Sequence, residues 1–294
     1  MTSIPYKFYL YQKDRFPILL LLLSLLPVTL SSAAVVSMAK PNSLHLLLAL
    51  LTSIAYLLHI RIVDEHRDFH HDSTHHKDRP VQTGIISLEE LRKIDLIMVF
   101  AMLAIAFSSS IYSFGISVVL LVYTYFAGKE FFLGEKIRRH FFLYNMVNLV
   151  QMFLLQIFVY SFFTKTFSIH SLVITHFLFT GVGTVMFEFL RKIKTLDTES
   201  TGKDTYTWYF GFTNSIVIYV FLALMNAFLF FKVIEAISAQ PGIWLLFSWF
   251  FAIIFLLSAV IHWFGKKRIT DQLFQLSSLL MYGFFNISIY FVKF

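Results

Sequence analysis

Residues Arg61–Ser87 read RIVDEHRDFHHDSTHHKDRPVQTGIIS. This stretch follows directly on the charge-free run 41–60 and places Asp64, Asp68 and Asp72 at i, i+4 and i+8. On a helix each four-residue step drifts by only about 40°, so the three carboxylates form one stripe roughly 12 Å long. Such a stripe repels itself unless positive charge sits against it. Two arrangements supply that charge. In one, Mg²⁺ ions on the stripe hold a diphosphate at a membrane surface. In the other, the stretch is a solvated cytoplasmic loop whose acids pair with Arg61, Arg67, Lys77 and Arg79.

The 294 residues are 57% hydrophobic and 14% charged, with mean hydropathy +0.72, far from an average soluble domain. Charge-free runs cover 16–39, 41–60, 96–128, 140–164, 166–187, 205–231, 236–265 and 272–292. Each is long enough for a bilayer core of about 30 Å, which takes about 20 apolar residues. The composition therefore implies an all-α, polytopic membrane bundle forming a single domain over 1–294. The absence of cysteine excludes disulfides and thiolate metal ligands. Lys7, Lys13 and Arg15 before the first apolar run, and Ser31-Ser32-Ala33-Ala34 after it, superficially resemble a signal peptide. That run is long and leads straight into a second one, which favours a retained first helix.

The run 96–128 holds 33 residues, too many for one span and barely enough for two. Ser108-Ser109-Ser110 and Gly115 offer a turn at its centre. Charge bias decides. With one span there are eight helices, and Lys and Arg divide 12 to 12 between the two sides. With a hairpin there are nine, and the division becomes 20 to 4, the minority being Lys40, Lys165, Lys232 and Lys293. Cytoplasmic loops carry the excess of Lys and Arg, so nine helices with the N-terminus cytoplasmic is the better arrangement. It also puts 16 of the 17 acids on the cytoplasmic side, all but Glu235. The net charge of +7 then reflects anchoring to anionic lipid head groups and a site for an anionic substrate, with no call for nucleic acid.

The helices expected on this basis are 17–38, 43–62, 94–110, 112–128, 140–162, 167–190, 206–231, 243–264 and 272–292. Polar cytoplasmic connections fall at 63–93, 129–139, 191–205 and 265–271. The second and sixth helices each run into a long charged connection, a weak internal echo suggesting two four-helix units facing a shared cavity. In the second such connection, Glu188 ends an apolar helix, where an ionisable group is expensive and often functional. Arg191 and Lys192 follow within one turn, placed either to grip phosphate oxygens or to snorkel and satisfy the last carbonyls. The histidines at 66, 70, 71, 75 and 76 form another unusual feature. His66/His70 and His71/His75 have the i, i+4 spacing that chelates Zn²⁺ on a helix, although solvated imidazoles are the commoner outcome.

These residues resemble the UbiA superfamily of intramembrane prenyltransferases. That family opens its first motif with Asn-Asp, then two Asp at four-residue spacing, an Arg-Pro pair, a Gly and a short Ile-Ser. Here Asp64-Glu65 stands at the Asn-Asp position, Asp68 and Asp72 fit, and Arg79-Pro80, Gly84 and Ile86-Ser87 follow in order. The second motif departs from the pattern of two Asp four apart followed by Gly and Thr. Glu188 and Lys192 occupy the Asp positions, and Gly202 and Thr205 follow only after extra residues.

The resemblance implies nine transmembrane helices, with two acidic motifs over a central cavity that bind an isoprenyl diphosphate through Mg²⁺. It implies Asp64, Asp68 and Asp72 as catalytic and metal-binding residues, joined by Glu188 and Asp197. Arg67, Lys77, Arg79, Arg191 and Lys192 are the candidates for the diphosphate oxygens. The implied reaction is Mg²⁺-assisted loss of diphosphate at an allylic carbon and transfer of the isoprenyl group to a hydrophobic aromatic or lipid acceptor. Three other functions stand beside it. A non-catalytic isoprenoid-binding relative fits the altered second motif. A divalent-cation transporter would carry acids near the bilayer midplane, where this chain has none. An alcohol phosphotransferase would show Asp-Gly and Ala-Arg between its acids, where Phe69-His70-His71 stands.

Overall fold

The structure, a computed structural model, describes residues 3–134, 136, 139–164, 166, 170–195, 205–237 and 242–294. Among these, all regular elements are helical. They are α1 (Ile4–Arg15), α2 (Ile18–Val36), α3 (Ser43–Arg67), α4 (Phe69–His75), α5 (Leu88–Ser109), α6 (Ile111–Gly128), α7 (Phe141–Ser161), α8 (Ser171–Arg191), α9 (Tyr206–Phe210), α10 (Phe212–Ile237), α11 (Ile243–Gly265) and α12 (Arg268–Lys293), with a short 3₁₀ turn at Glu130–Phe132.

Nine of these described helices are at least 18 residues long: α2, α3, α5–α8 and α10–α12. Eight are also apolar enough along their length to cross a membrane. The ninth, α5, opens with Glu89, Glu90, Arg92, Lys93 and Asp95 and turns apolar only from Leu96. Its charged start is a helix-initiation signal. Ser87 Oγ accepts from the Glu90 N–H, and the Glu90 side chain accepts from the Ser87 N–H, closing a capping box. The run 96–128 is therefore a hairpin, with α5 and α6 joined by Ser110 alone. Ser110 has extended backbone (φ −169°, ψ 156°), and its Oγ accepts from the Ser113 N–H at 2.9 Å to start α6.

Several boundaries differ from the sequence expectation, among them the start of α5, at Leu88 rather than 94, and the end of α10, at Ile237 rather than 231. Helix α3 continues to Arg67 and is followed at once by α4, so the charged stretch is mostly helical rather than a loop. The expected helix 206–231 is split at Gly211, whose φ of +76° suits glycine and ends α9 after five residues. Helix α1 was not expected at all.

The chain divides into two compact units, Met1–Thr29 with Asn42–Thr166, and Leu30–Pro41 with Phe167–Phe294. Each contains four of the long helices entire. In the first, α3 packs on α5, α5 on α6 and α6 on α7. Tyr56, Leu120, Phe158 and Phe162 fill one core there. A second core, of Tyr11, Phe16, Ile62, Ile86 and Leu91, fastens α1 and the start of α2 to the C-terminal half of α3 and the start of α5.

In the second unit α11 packs along α12, and α8 along α10. The turn between α11 and α12 is closed by Lys266 in the left-handed region, φ 49°. At Gly183 a Cβ would lie 2.2 Å from Cε2 of Tyr282, so only glycine lets α8 take that ring. Several buried polar side chains of this unit bond to one another or to backbone carbonyls, as favours packing at membrane depth. Ser31 Oγ donates to Asn286 Oδ1 at 2.6 Å and lies 3.0 Å from His176 Nε2, and Asn226 Nδ2 donates to the Phe179 carbonyl at 2.7 Å.

Candidate active site

The end of α3 organises the site in the first unit. The backbone keeps its i, i+4 bonding through the break at Asp68. The Asp68 N–H donates to the Asp64 carbonyl at 2.8 Å, Asp72 to Asp68 at 2.9 Å, and His76 to Asp72 at 2.8 Å. The backbone register of the acidic stripe thus survives, but the three carboxylates take different partners.

Asp64 and Asp68 converge on one guanidinium. Arg67 Nη2 reaches Asp64 Oδ1 at 2.8 Å, while its Nε and Nη2 reach Asp68 Oδ1 and Oδ2 at 3.0 and 3.1 Å. The Tyr144 ring from α7 lies 5.3 Å from that guanidinium and covers it. The arginine side chain is consequently 7% exposed, whereas the two carboxylates keep 27% and 35% exposure. Two solvent-reachable acids are held around a single positive charge.

Asp72 is buried and belongs to another cluster. Arg79 Nη1 donates to its Oδ2, Arg15 Nη2 lies 3.9 Å from the same oxygen, and His71 Nδ1 lies 3.5 Å from Oδ1. Arg79 begins the turn that leads to α5, in which the Ile85 N–H donates to the Pro80 carbonyl at 2.9 Å and Gly84 adopts φ +77°. In that turn Gln82 keeps both amide atoms buried without a hydrogen-bond partner among the described residues. Lys77 is exposed.

The residue most deeply placed here is Glu65, 1% exposed. Its Oε1 accepts from Arg61 Nη2 at 2.7 Å, from Arg15 Nε at 2.9 Å and from the Tyr11 hydroxyl at 3.4 Å. Burial, and next the Glu65 carboxylate, hold the Tyr11 hydroxyl far above its ordinary range, so it stays protonated and donates. Glu65, Arg15, Tyr11 and Tyr144 were not singled out as site residues from sequence. Arg15 and Tyr11 lie in a helix whose cations read as a membrane flank. Glu65 differs from its acidic neighbours only in stepping about 100° round the helix from Asp64, towards the core.

In the second unit, Glu188 closes α8 against its own cations. Arg191 Nη2 and Lys192 Nζ stand 2.8 and 2.9 Å from its oxygens. The ends of the following connection are pinned: the Tyr206 N–H donates to the Lys192 carbonyl at 3.0 Å, and the Tyr206 ring stacks on Phe189 at 3.9 Å. Asp197, with Glu199 and Gly202, lies outside the described residues.

The histidines paired by i, i+4 spacing have these surroundings. His66 Nδ1 engages the Ile62 carbonyl at 2.9 Å, and the His71 and His75 rings pack with centroids 4.6 Å apart. Among the described residues, the group that converges is His71, Asp72 and His76.

Comparison with solved structures gives the fold a context. A digeranylgeranylglyceryl phosphate synthase superposes with a TM-score of 0.59 at 16% identity, covering 97% of this chain and 99% of that one. A UbiA homologue from Archaeoglobus fulgidus, solved with DMAPP and Mg²⁺, gives 0.55 at 14% identity over 95% of this chain and 99% of that one. The same homologue with GPP and Mg²⁺ gives 0.56. No curated protein matches in sequence. The model of the UbiA prenyltransferase family does match, over residues 24–285, taking in every helix that carries the acidic motifs, so the chain belongs to the UbiA prenyltransferase family and is an integral, multi-pass membrane protein.

Proposed function

We propose that the chain transfers an isoprenyl group from an isoprenyl diphosphate to a hydrophobic aromatic or lipid acceptor, at the cytoplasmic end of its first unit. The observation that carries this reading is the pair Asp64 and Asp68 gathered on Arg67. Mg²⁺ prefers hard oxygen donors and binds through one or two carboxylates, keeping its other positions for water and phosphate. Two partly exposed carboxylates already arranged round one cation fit that demand. Bound there, Mg²⁺ supplies positive charge against the departing diphosphate.

The chain's own groups do the rest. Asp64 and Asp68 hold the ion. Arg67, displaced from their oxygens, turns its fork of donors to the diphosphate, a geometry guanidinium matches well. Asp72 fixes Arg79 and Arg15, and Arg79 presents its remaining donors to the same anion. Glu65 neutralises Arg61 and Arg15 beneath the site. In the second unit Glu188 holds the Lys192 ammonium, which stands where the family has an acid. Arg191, far more exposed, offers a further cation. The apolar, Phe-rich spans exclude water from the allylic cation left when the C–O bond breaks. The cytoplasmic location follows from the 20 to 4 division of Lys and Arg.

The test is an assay on purified protein with isoprenyl diphosphates of several lengths and a lipid extract as acceptor. Diphosphate release and prenylated lipid are followed by mass spectrometry. Metal-dependent product is expected in wild type and its loss in Asp68→Asn, which keeps shape and removes charge. Wild-type rates in Asp68→Asn would remove the residue from the site. A second reading has support in Glu188, whose charge is fully met by Arg191 and Lys192: a relative that binds the isoprenoid without cleaving it would show binding but no diphosphate release.

A further inference from the structure

We infer that His71, Asp72 and His76 form a binding site for a borderline transition-metal ion, Zn²⁺ foremost, different in donor chemistry from the all-oxygen pair Asp64 and Asp68. The inference does not rest on prenyl transfer. One ligand atom from each of the three residues lies within 4.8 Å of the other two. Zinc bonds of about 2.0–2.2 Å in tetrahedral geometry separate ligand atoms by roughly 3.4 Å. His71 Nδ1 and Asp72 Oδ1 already stand 3.5 Å apart, so one edge of the tetrahedron is in place. His76 brings its ligand atom within 4.8 Å of both, and its backbone is tied to Asp72 by the 2.8 Å bond from its N–H.

The carboxylate is prepared for the role. Asp72 is 3% exposed, and among the described residues Arg79 and Arg15 engage its Oδ2, leaving Oδ1 beside His71 Nδ1. Groups that orient a ligand from behind in this way contribute strongly to metal affinity. Two imidazoles and a carboxylate are the donor set of open zinc sites, which leave the fourth position to water or to a ligand oxygen. Magnesium does not compete well there, because imidazole nitrogen is a poor partner for a hard ion. The two guanidiniums disfavour an added dication, so affinity below that of an all-protein structural zinc site is expected. The cysteine-free chain offers no thiolate alternative.

The test titrates Zn²⁺ into tag-free protein in detergent, against a chromophoric chelator and with millimolar Mg²⁺ present. One Zn²⁺ per chain is expected. His71→Gln/His76→Gln should weaken it at least 10-fold, with unchanged helical circular dichroism showing that the variant is folded. His66→Gln/His70→Gln should bind as wild type does. Cobalt substitution gives a second readout, the intense visible bands of tetrahedral nitrogen and oxygen coordination, present in wild type and lost with His71 and His76. The proposal is overturned by no zinc bound in the presence of Mg²⁺, by equal affinity in His71→Gln/His76→Gln, or by a similar loss in His66→Gln/His70→Gln. Failure of prenyl transfer leaves these outcomes unchanged.

Discussion

Replacing Glu65 by Gln keeps the shape of a buried side chain and removes the charge that two arginines share. The amide oxygen can still accept from one of them, but the second guanidinium loses its partner. Truncating one side of a buried ion pair costs about 3–5 kcal/mol, chiefly from the charge left uncompensated. Here Arg61 and Arg15 keep 25% and 15% exposure and regain some water, so a loss of about 2–3 kcal/mol is expected. All four tryptophans, 208, 244, 249 and 263, lie in the second unit. Unfolding in mixed micelles should therefore be followed by far-UV circular dichroism rather than intrinsic fluorescence. Adding Arg61→Gln should return about 1 kcal/mol or more relative to the sum of the single changes, since charge and countercharge go together. A loss under about 0.5 kcal/mol, or strict additivity in the double variant, would refute the buried-pair account.

Two further outcomes are expected. If Lys192 meets the leaving diphosphate, Lys192→Ala should lower turnover about 10- to 150-fold, the effect of a charge-assisted contact of about 1.5–3 kcal/mol. Substrate binding should weaken less, because the leaving group's charge peaks in the transition state; wild-type turnover would reduce Lys192 to a partner for Glu188. Single cysteines at Thr74 and Ser43, clean reporters in a cysteine-free chain, should be labelled only from the cytoplasm and only from outside, respectively. Labelling of Thr74→Cys from outside would overturn the charge-based orientation.

The hairpin α5–α6 was legible because charge asymmetry counts whole loops and does not depend on where a helix ends. The acidic motif was legible because four-residue spacing survives the break at Asp68. What sequence did not give was partner choice. Asp64, Asp68 and Asp72 look equivalent as a stripe, yet one buried arginine under Tyr144 separates the first two from the third. Glu65 was matched to the motif but given no role, because the inward step is visible only once the core beside α3 is known. The histidine spacing pointed to pairs four apart within one helix. The convergent set instead straddles the end of α4, where His76 leaves helical geometry (φ −137°). Helix α1 was missed because its mixture of Tyr, Lys and Gln has no clear apolar face.

The attachment of α1 bears on the order in which the protein is made. Lys7 reaches Glu90 across 83 residues of chain, and Arg15 reaches Glu65 across 50. At a synthesis rate of about 5–20 residues per second, α1 waits several seconds for either partner to leave the ribosome. During that interval Lys7 and Arg15 lack these partners, and anionic lipid head groups are a counter-charge that would hold α1 at the membrane surface. The acidic end of α3 is thus completed late, when a segment translated earlier folds back over it. A fusion partner that holds α1 away from the bilayer should slow this last step, leaving inserted spans around an unfinished anion-binding face.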